Sequence, residues 1–316
     1  MSLANPNISL TLAAAVLGAL VPMLSRAQAG PPRPGVDPGP WDNDVHLYRV
    51  WPDGTSERLA VFERAGVPSL LRLADGRLIA AHQWFPEGDA AAFDKVAVRL
   101  SSDEGRTWSA PRTIALSGLP QDQRSPFDPT LLQLPDGRIR LYFTTNRARL
   151  FEQDRPWIAS AISSDGLSFA VEPGARFGVA SETVIDCAAV LHRGVFHLYS
   201  PMETGRGSGY HAVSRDGLSF ERAADVSVPD VRWLGAAVAS AGGIRFYGTS
   251  ERGLWTAFSG DGAAWSAPSF VTLQGADPGV VENVDSSALF LVTGPPRPGT
   301  PSAARMTRRP PQWPPR

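Results

Sequence analysis

The chain has 316 residues, with 30 Lys and Arg against 31 Asp and Glu, so its formal net charge is −1. That balance carries no basic stripe of the kind a nucleic-acid partner requires, and the lone Cys187 excludes an intrachain disulfide and reads as a small core residue. Thirty glycines and 29 prolines in a chain that is 43% hydrophobic point to one large, turn-rich all-β domain.

Ile8 to Leu24 is an apolar run without charge, and Ala27-Gln28-Ala29 follows it as a small-x-small cleavage site. The run is short for a spanning helix. Residues 1–29 are therefore expected to be a secretory signal peptide, with an uncleaved anchor as the alternative, since no Lys or Arg precedes the run. The mature protein would then be secreted or periplasmic, with no membrane span. Residues 30–41 read as a proline-rich linker, residues 42–293 as the folded domain, and residues 294–316 as a disordered Pro- and Arg-rich tail.

Within the domain, Val67-Pro68-Ser69-Leu70-Leu71-Arg72-Leu73-Ala74-Asp75-Gly76-Arg77 aligns without gaps on Asp128-Pro129-Thr130-Leu131-Leu132-Gln133-Leu134-Pro135-Asp136-Gly137-Arg138. Looser copies start near Asp186, Leu234 and Val284. Each is an apolar run, a turn and a second apolar run, the pattern of a β-hairpin. The runs do not alternate cleanly, as expected of strands buried on both faces. Between the hairpins a second pattern recurs: Ser101-x-Asp103, Ser163-x-Asp165, Ser214-x-Asp216 and Ser259-x-Asp261, each followed closely by Gly and then by an aromatic residue. Ser, Asp and Gly in this order are turn chemistry, and the structural reading of these aspartates as hairpin staples is preferred to a catalytic or calcium-binding one.

Repeats at this spacing predict one four-stranded sheet each, the blade of a β-propeller. Five inner strands give five blades, and a six-bladed ring would need another hairpin that the sequence lacks. The fifth blade is short of strands at its C-terminal end. Val45 to Val50 and Glu57 to Phe62 are expected to complete it and close the ring, removing two open edges.

In such a blade the short turns lie on one face. The inner-strand starts and the longer second-to-third loops lie on the other, where function is expected. Inner-strand starts converge on the axis, so Asp128, Asp186 and either Glu282 or Asp285 should approach one another. Neighbouring carboxylates repel unless one keeps its proton, which separates their pKa values and suits acid–base hydrolysis of a glycoside. The candidate catalytic residues are Asp128, Asp186, Glu282 and, from the first-blade loop, Asp89. Candidate substrate-binding residues on the same face are His82, Trp84, Arg124, Arg147, Glu203, Arg206, Tyr210 and Arg232. Aromatic rings would stack on sugars and arginines would hold a carboxylate. No cofactor and no metal-ligand set are expected.

The stretch from Val67 to Trp108, with its Pro-x-Leu-Leu strand and its Ser-x-Asp-x-Gly-x-Thr-Trp turn, resembles the sialidase superfamily and its Asp boxes. Phe127-Asp128-Pro129 followed by Leu141-Tyr142-Phe143 is similar to the second blade of five-bladed arabinanase- and xylosidase-type glycosidases. These resemblances imply a propeller that acts on a glycan, an acidic one in the sialidase case. Gly66-Val67-Pro68 stands where sialidases carry Arg-Ile-Pro, and Gly66 or Val67 stands where the five-bladed enzymes carry their first aspartate. The expectation is a monomeric, glycoside hydrolase-like propeller, with a non-catalytic carbohydrate-binding or scaffold propeller as the alternative.

Overall fold

The structure is a computed structural model that describes residues 40–148, 150–203 and 207–297. It is a five-bladed β-propeller. The chain opens with β1 (Asn43–Val50) and β2 (Ser56–Phe62), which belong to the last blade. Blade 1 is β3 (Ala65–Arg72), β4 (Leu78–Trp84), β5 (Lys95–Ser101) and β6 (Arg112–Thr113). The short β7 (Ala115–Ser117) then crosses to the outer edge of blade 2, which is β8 (Phe127–Gln133), β9 (Ile139–Thr145), β10 (Trp157–Ser163) and β11 (Ser168–Phe177). Blade 3 is β12 (Ala188–His192), β13 (Val195–Pro201) and β14 (Ser208–Ser214), edged by β15 (Glu221–Arg222) and β16 (Val226–Ser227). Blade 4 is β17 (Arg232–Ser240), β18 (Gly243–Ser250), β19 (Gly253–Ser259) and β20 (Ser269–Phe270). Blade 5 starts with β21 (Ala276–Glu282) and β22 (Ala288–Pro296), and β1 pairs antiparallel with β22 to seal the ring.

The strands read as nearly continuous apolar runs because each blade is covered on both faces. Five large hydrophobic clusters fill the five spaces between neighbouring blades. Tyr142 and Ile158 of blade 2 meet Cys187, Leu198 and Tyr210 of blade 3, for example, while Trp233, Phe246 and Trp255 of blade 4 meet Tyr199 of blade 3. The single cysteine is buried in this packing, where burial pushes its thiol pKa up.

The Ser-x-Asp segments are the third-to-fourth strand turns. In each, the serine hydroxyl accepts the glycine N–H at 2.8–3.0 Å and donates to the aspartate. In the second, the N–H groups of Ser168 and Leu167 hold the Asp165 carboxyl well below the usual carboxylate range. The turns also reach across to the preceding blade. The Gly217 carbonyl accepts from Tyr142 Oη and the Gly262 carbonyl from Tyr199 Oη, both at 2.8 Å.

The expected start of blade 5 is corrected by one strand. Its inner strand is Ala276–Glu282, and Val284 is fully exposed in the turn that follows. That turn, Asn283 to Ser287, has the same closure as Leu73 to Arg77 and Leu134 to Arg138: the first N–H donates to the last carbonyl at 2.8 Å in all three. It lacks the Asp-Gly pair of the other two, so its apolar flank is easily read as a strand start. The expected tail also starts too early, because β22 includes Gly294 to Pro296 and pairs Pro296 with Asn43. Residues 1–39, with the expected signal peptide, and residues 298–316 lie outside the described residues. No helix among the described residues is long and apolar enough to cross a membrane.

The turn glycines test this account. A Cβ on Gly217 (φ +70°) would lie 2.4 Å from Arg140 Nη1 and 2.9 Å from Tyr142 Oη, whereas one on Gly137 (φ +88°) meets nothing within 4 Å. Gly137→Ala should therefore cost about 1–3 kcal/mol of backbone strain alone, and Gly217→Ala should cost about 1–3 kcal/mol more for overpacking. Urea unfolding of the two variants checks the difference.

Candidate functional site

Four inner strands begin in one unusual way. Val67, Asp128, Asp186 and Asp277 have φ of 48°, 50°, 52° and 49°, a left-handed conformation that only a few per cent of non-glycine residues adopt. In blades 1, 2 and 5 this residue and the proline after it form a two-residue bulge against the second strand. Bulges re-aim side chains, and here they turn the first residue toward the axis. Each of these residues is tied by its N–H to the second strand of the preceding blade. Asp186 donates to Thr144 Oγ1 at 3.2 Å, Asp277 to Thr249 Oγ1 at 3.0 Å, Val67 to Thr293 Oγ1 at 3.2 Å, and Asp128 to Gln83 Oε1 at 3.5 Å. In blade 4 the bulge holds Trp233 and Leu234 and supplies no carboxylate.

Three aspartates from three blades thus share the axis. Asp128 is buried, with 6% of its surface exposed, while Asp186 and Asp277 are partly open. Burial raises the pKa of each: Asp128 to about 7, Asp277 to about 6, and Asp186 well above the ordinary value. Asp128 and Asp186 titrate together, and the charge of Asp128 raises Asp186 further. They act as one proton-sharing pair. The negative charge of Asp277 raises both further, while Arg232 beside Asp277 opposes the rise there. Asp277 Oδ1 is buried and has no hydrogen-bond partner. A fourth carboxyl, Asp94, accepts from Gln83 Nε2 at 2.8 Å; burial raises its pKa, and Arg124 and Lys95 oppose the rise. Gln83 therefore links Asp94 to the backbone of Asp128. Among the described residues no three His, Cys, Asp or Glu side chains are arranged to hold a metal ion.

Asp128 and Asp186 come together, with Arg124 and Arg232 at the rim of the same cluster. Glu282 does not join them. It ends β21 on the opposite, turn-bearing face, where it accepts from Ser240 Oγ and from Tyr247 Oη (2.8 Å) and pairs with Arg245 (3.1 Å). Asp285, its alternative, lies in the turn on that face and caps Ser287. Asp89 is exposed and caps a loop by accepting the N–H groups of Ala91 and Ala92.

His82 is buried beside Phe62 in the core, where burial pushes its imidazole down to about 4. Tyr210 is also a core residue, its hydroxyl bonded to Glu182. Arg147 is exposed and paired with Asp122 at 3.1 Å, Trp84 ends β4 next to Lys95, and Glu203 is exposed in the loop after β13. Arg206 lies outside the described residues.

Asp277 is the axial acid absent from the sequence expectation, because the glycine-free turn at 283–287 resembles a strand start. Its signal is present: Ala276-Asp277-Pro278 precedes the turn aspartate Asp285 by the same spacing that separates Asp128 from Asp136 and Val67 from Asp75.

No protein-family model matches the chain, and no curated protein matches it. Solved structures do. A family 117 glycoside hydrolase from the marine bacterium Zobellia galactanivorans superposes with a TM-score of 0.55 at 15% identity, covering 80% of this chain and 91% of that one. An α-L-arabinofuranosidase from Clostridium thermocellum gives 0.56 at 13% identity, covering 71% and 80%. A Bombyx mori β-fructofuranosidase gives 0.53 at 12% identity, covering 80% and 57%. Likeness at these identities establishes a shared propeller fold.

The raised carboxyls predict a pH-dependent stability. Below the ordinary carboxylate pKa of 3.8 both folded and unfolded chains are protonated and burial costs nothing. As pH rises toward the folded value the unfolded chain ionises more readily, so the native state loses stability. Asp128→Asn should therefore melt close to the wild type at pH 4 and about 4 °C or more above it at pH 8. An equal gap at both pH values in calorimetry would contradict the buried, proton-holding pair.

Proposed function

We propose that this propeller is a glycoside hydrolase-like enzyme acting on a glycan. The observation that supports the reading most is the proton-sharing Asp128–Asp186 pair set beside a third ionisable carboxyl, Asp277, at the axis. Hydrolysis of a glycoside needs a carboxylic acid that is still protonated and a second carboxylate that is not. Asp186, whose pKa burial raises well above the ordinary carboxyl value, donates its proton to the oxygen of the leaving sugar as the anomeric C–O bond breaks. Asp277, whose Oδ1 has no partner in the protein, takes a proton from the water whose oxygen forms the new bond. One water is consumed, and Asp128 holds Asp186 in position and steadies its proton.

A neutral sugar fits this site better than an acidic one. The charges of Arg124 and Arg232 are already met by Asp94 and Asp277, and Gly66 leaves no arginine at the entry of blade 1. A relation to sialidases therefore extends to the expected turn pattern and not to sialic acid recognition. The activity is assigned to a secreted or periplasmic protein on the strength of the apolar run and cleavage signal within residues 8–29.

A second reading, a non-catalytic glycan-binding propeller, is favoured by one observation. Val67 holds the place and the left-handed backbone that are aspartate in blades 2, 3 and 5, so with blade 4 two of the five blades bring no acid to the axis.

A screen of aryl arabinosides, galactosides, xylosides and sialosides separates the two. Turnover of a neutral glycoside is expected, with Asp186→Asn and Asp277→Asn each lowering kcat by about 10²–10⁴-fold. Full activity in either variant removes the assigned role, and glycan binding without turnover of any substrate selects the second reading.

A further inference from the structure

The strand start of blade 1 carries Val67 in place of an acid, but the blade holds a carboxyl elsewhere. Asp94 closes the loop between β4 and β5, has a φ of 59°, and donates its N–H to the Trp84 carbonyl at 2.8 Å. Aspartate tolerates this left-handed backbone better than most residues. The Asp94 carboxyl is partly buried and accepts from Gln83 Nε2 at 2.8 Å. Gln83 is itself fully buried, with its Oε1 accepting the Asp128 N–H. A carboxylate only accepts and a backbone N–H only donates, so one orientation of the amide serves both.

The same arrangement recurs one blade on. Thr144, near the end of β9, accepts the Asp186 N–H at 3.2 Å, and its hydroxyl bonds the Asp128 carboxyl, favouring the charged form. In both blades, then, a residue near the end of the second strand accepts from the next blade's axial aspartate and donates to a carboxyl of its own blade. Thr249 of blade 4, whose bulge supplies no acid, donates instead to the Leu234 carbonyl at 3.2 Å. Asp94 is to Gln83 what Asp128 is to Thr144. Its carboxyl comes from a loop and not from a strand start, and the longer glutamine supplies the extra reach.

The charges around this link are few. Lys95 and Arg124 face Asp94, and both favour its ionised form. Lys95 Nζ also donates to Ser125 Oγ at 2.6 Å, and the Arg124 guanidinium lies 5.6 Å above the Phe127 ring. Asp128 titrates with Asp186 and is pushed up by the charges of Asp277 and Asp94. Arg232 acts on Asp277.

We propose that Asp94 is a positioning residue for the axial pair: through Gln83 it fixes the backbone at Asp128, and it is the negative charge that blade 1 sets beside the cluster. It touches no substrate. Its charge makes the pair keep the shared proton to higher pH. The consequence for catalysis rests on the hydrolase reading above, whereas the coupling of Asp94 to the pair does not.

Carbon-13 NMR of the aspartate carboxyls in the full-length protein tests it. In the wild-type chain the Asp128 signal should show a second inflection at the pH where Asp94 titrates. Asp94→Asn keeps an acceptor for Gln83 Nε2 and removes the charge, so the titration of the pair should move to lower pH by about half a pH unit or more. Asp136→Asn, which removes an equal charge from an exposed turn on the opposite face, should leave it in place. Asp94→Ala also frees Gln83, and the Asp128 amide should then exchange its hydrogen severalfold faster than in Asp94→Asn. A single inflection in the wild type, an unmoved titration in Asp94→Asn, or equal exchange in the two Asp94 variants would each overturn the proposal. With a glycoside that is turned over, the alkaline limb of the pH–rate profile should move to lower pH in Asp94→Asn at unchanged KM, and a limb that stays put overturns the positioning role. A moved titration in a chain that turns over no glycoside removes the catalytic reading and leaves the coupling.

Discussion

One contact recurs around the ring and sets everything inside it. The N–H of the first bulged residue of a blade donates to a side chain near the end of the second strand of the blade before: Gln83, Thr144, Thr249 or Thr293. A left-handed residue cannot place its N–H in the ladder of its own sheet, and a buried N–H left without a partner costs about 1–3 kcal/mol. The neighbouring threonine or glutamine offsets that cost and fixes where the next blade begins. Blade spacing at the axis, and with it the approach of Asp128, Asp186 and Asp277, follows from these few bonds.

The acids are held against their own repulsion. Desolvation is the largest influence on each of the three, ahead of any neighbouring charge. The large apolar interfaces between blades supply the stability that such an arrangement draws on, as expected where function opposes local packing rules. The opposite face shows the reverse economy. Its turn aspartates are exposed, accept several N–H groups and ionise more easily than usual. Identical side chains thus serve as staples on one face and as a reluctant acid cluster on the other.

The ring was legible in the sequence because its repeat is local. Hairpins such as Leu73 to Arg77 and the Ser-x-Asp turns announce themselves through Asp and Gly, and the missing strands of blade 5 had an obvious source at the N-terminus. The meeting of Asp128 and Asp186 followed from their place at inner-strand starts. Two kinds of information were hidden. A hairpin closed by Asn283-Val284-Asp285-Ser286-Ser287 carries no glycine to mark it, so Asp277 was passed over in favour of Glu282. Strands buried on both faces also conceal which way a polar side chain looks. Gln83 bonds the acids while its neighbour His82 packs on Phe62, and nothing in their order distinguishes them.

The seam between β1 and β22 has a consequence for how the molecule reaches its native state. Its partners, such as Leu47 and Leu291, stand near opposite ends of the chain. The other blades are built from consecutive strands and can form as the polypeptide emerges, but this pairing must wait for the last segment and must close the longest loop in the protein. Closure over such a separation is slow and entropically costly. Until it happens, β22 presents an apolar, unpaired edge of the kind that seeks strands from other molecules. Self-association of late intermediates is thus the characteristic hazard of this architecture, and the step that ends it is also the one that brings Asp277 alongside blade 1.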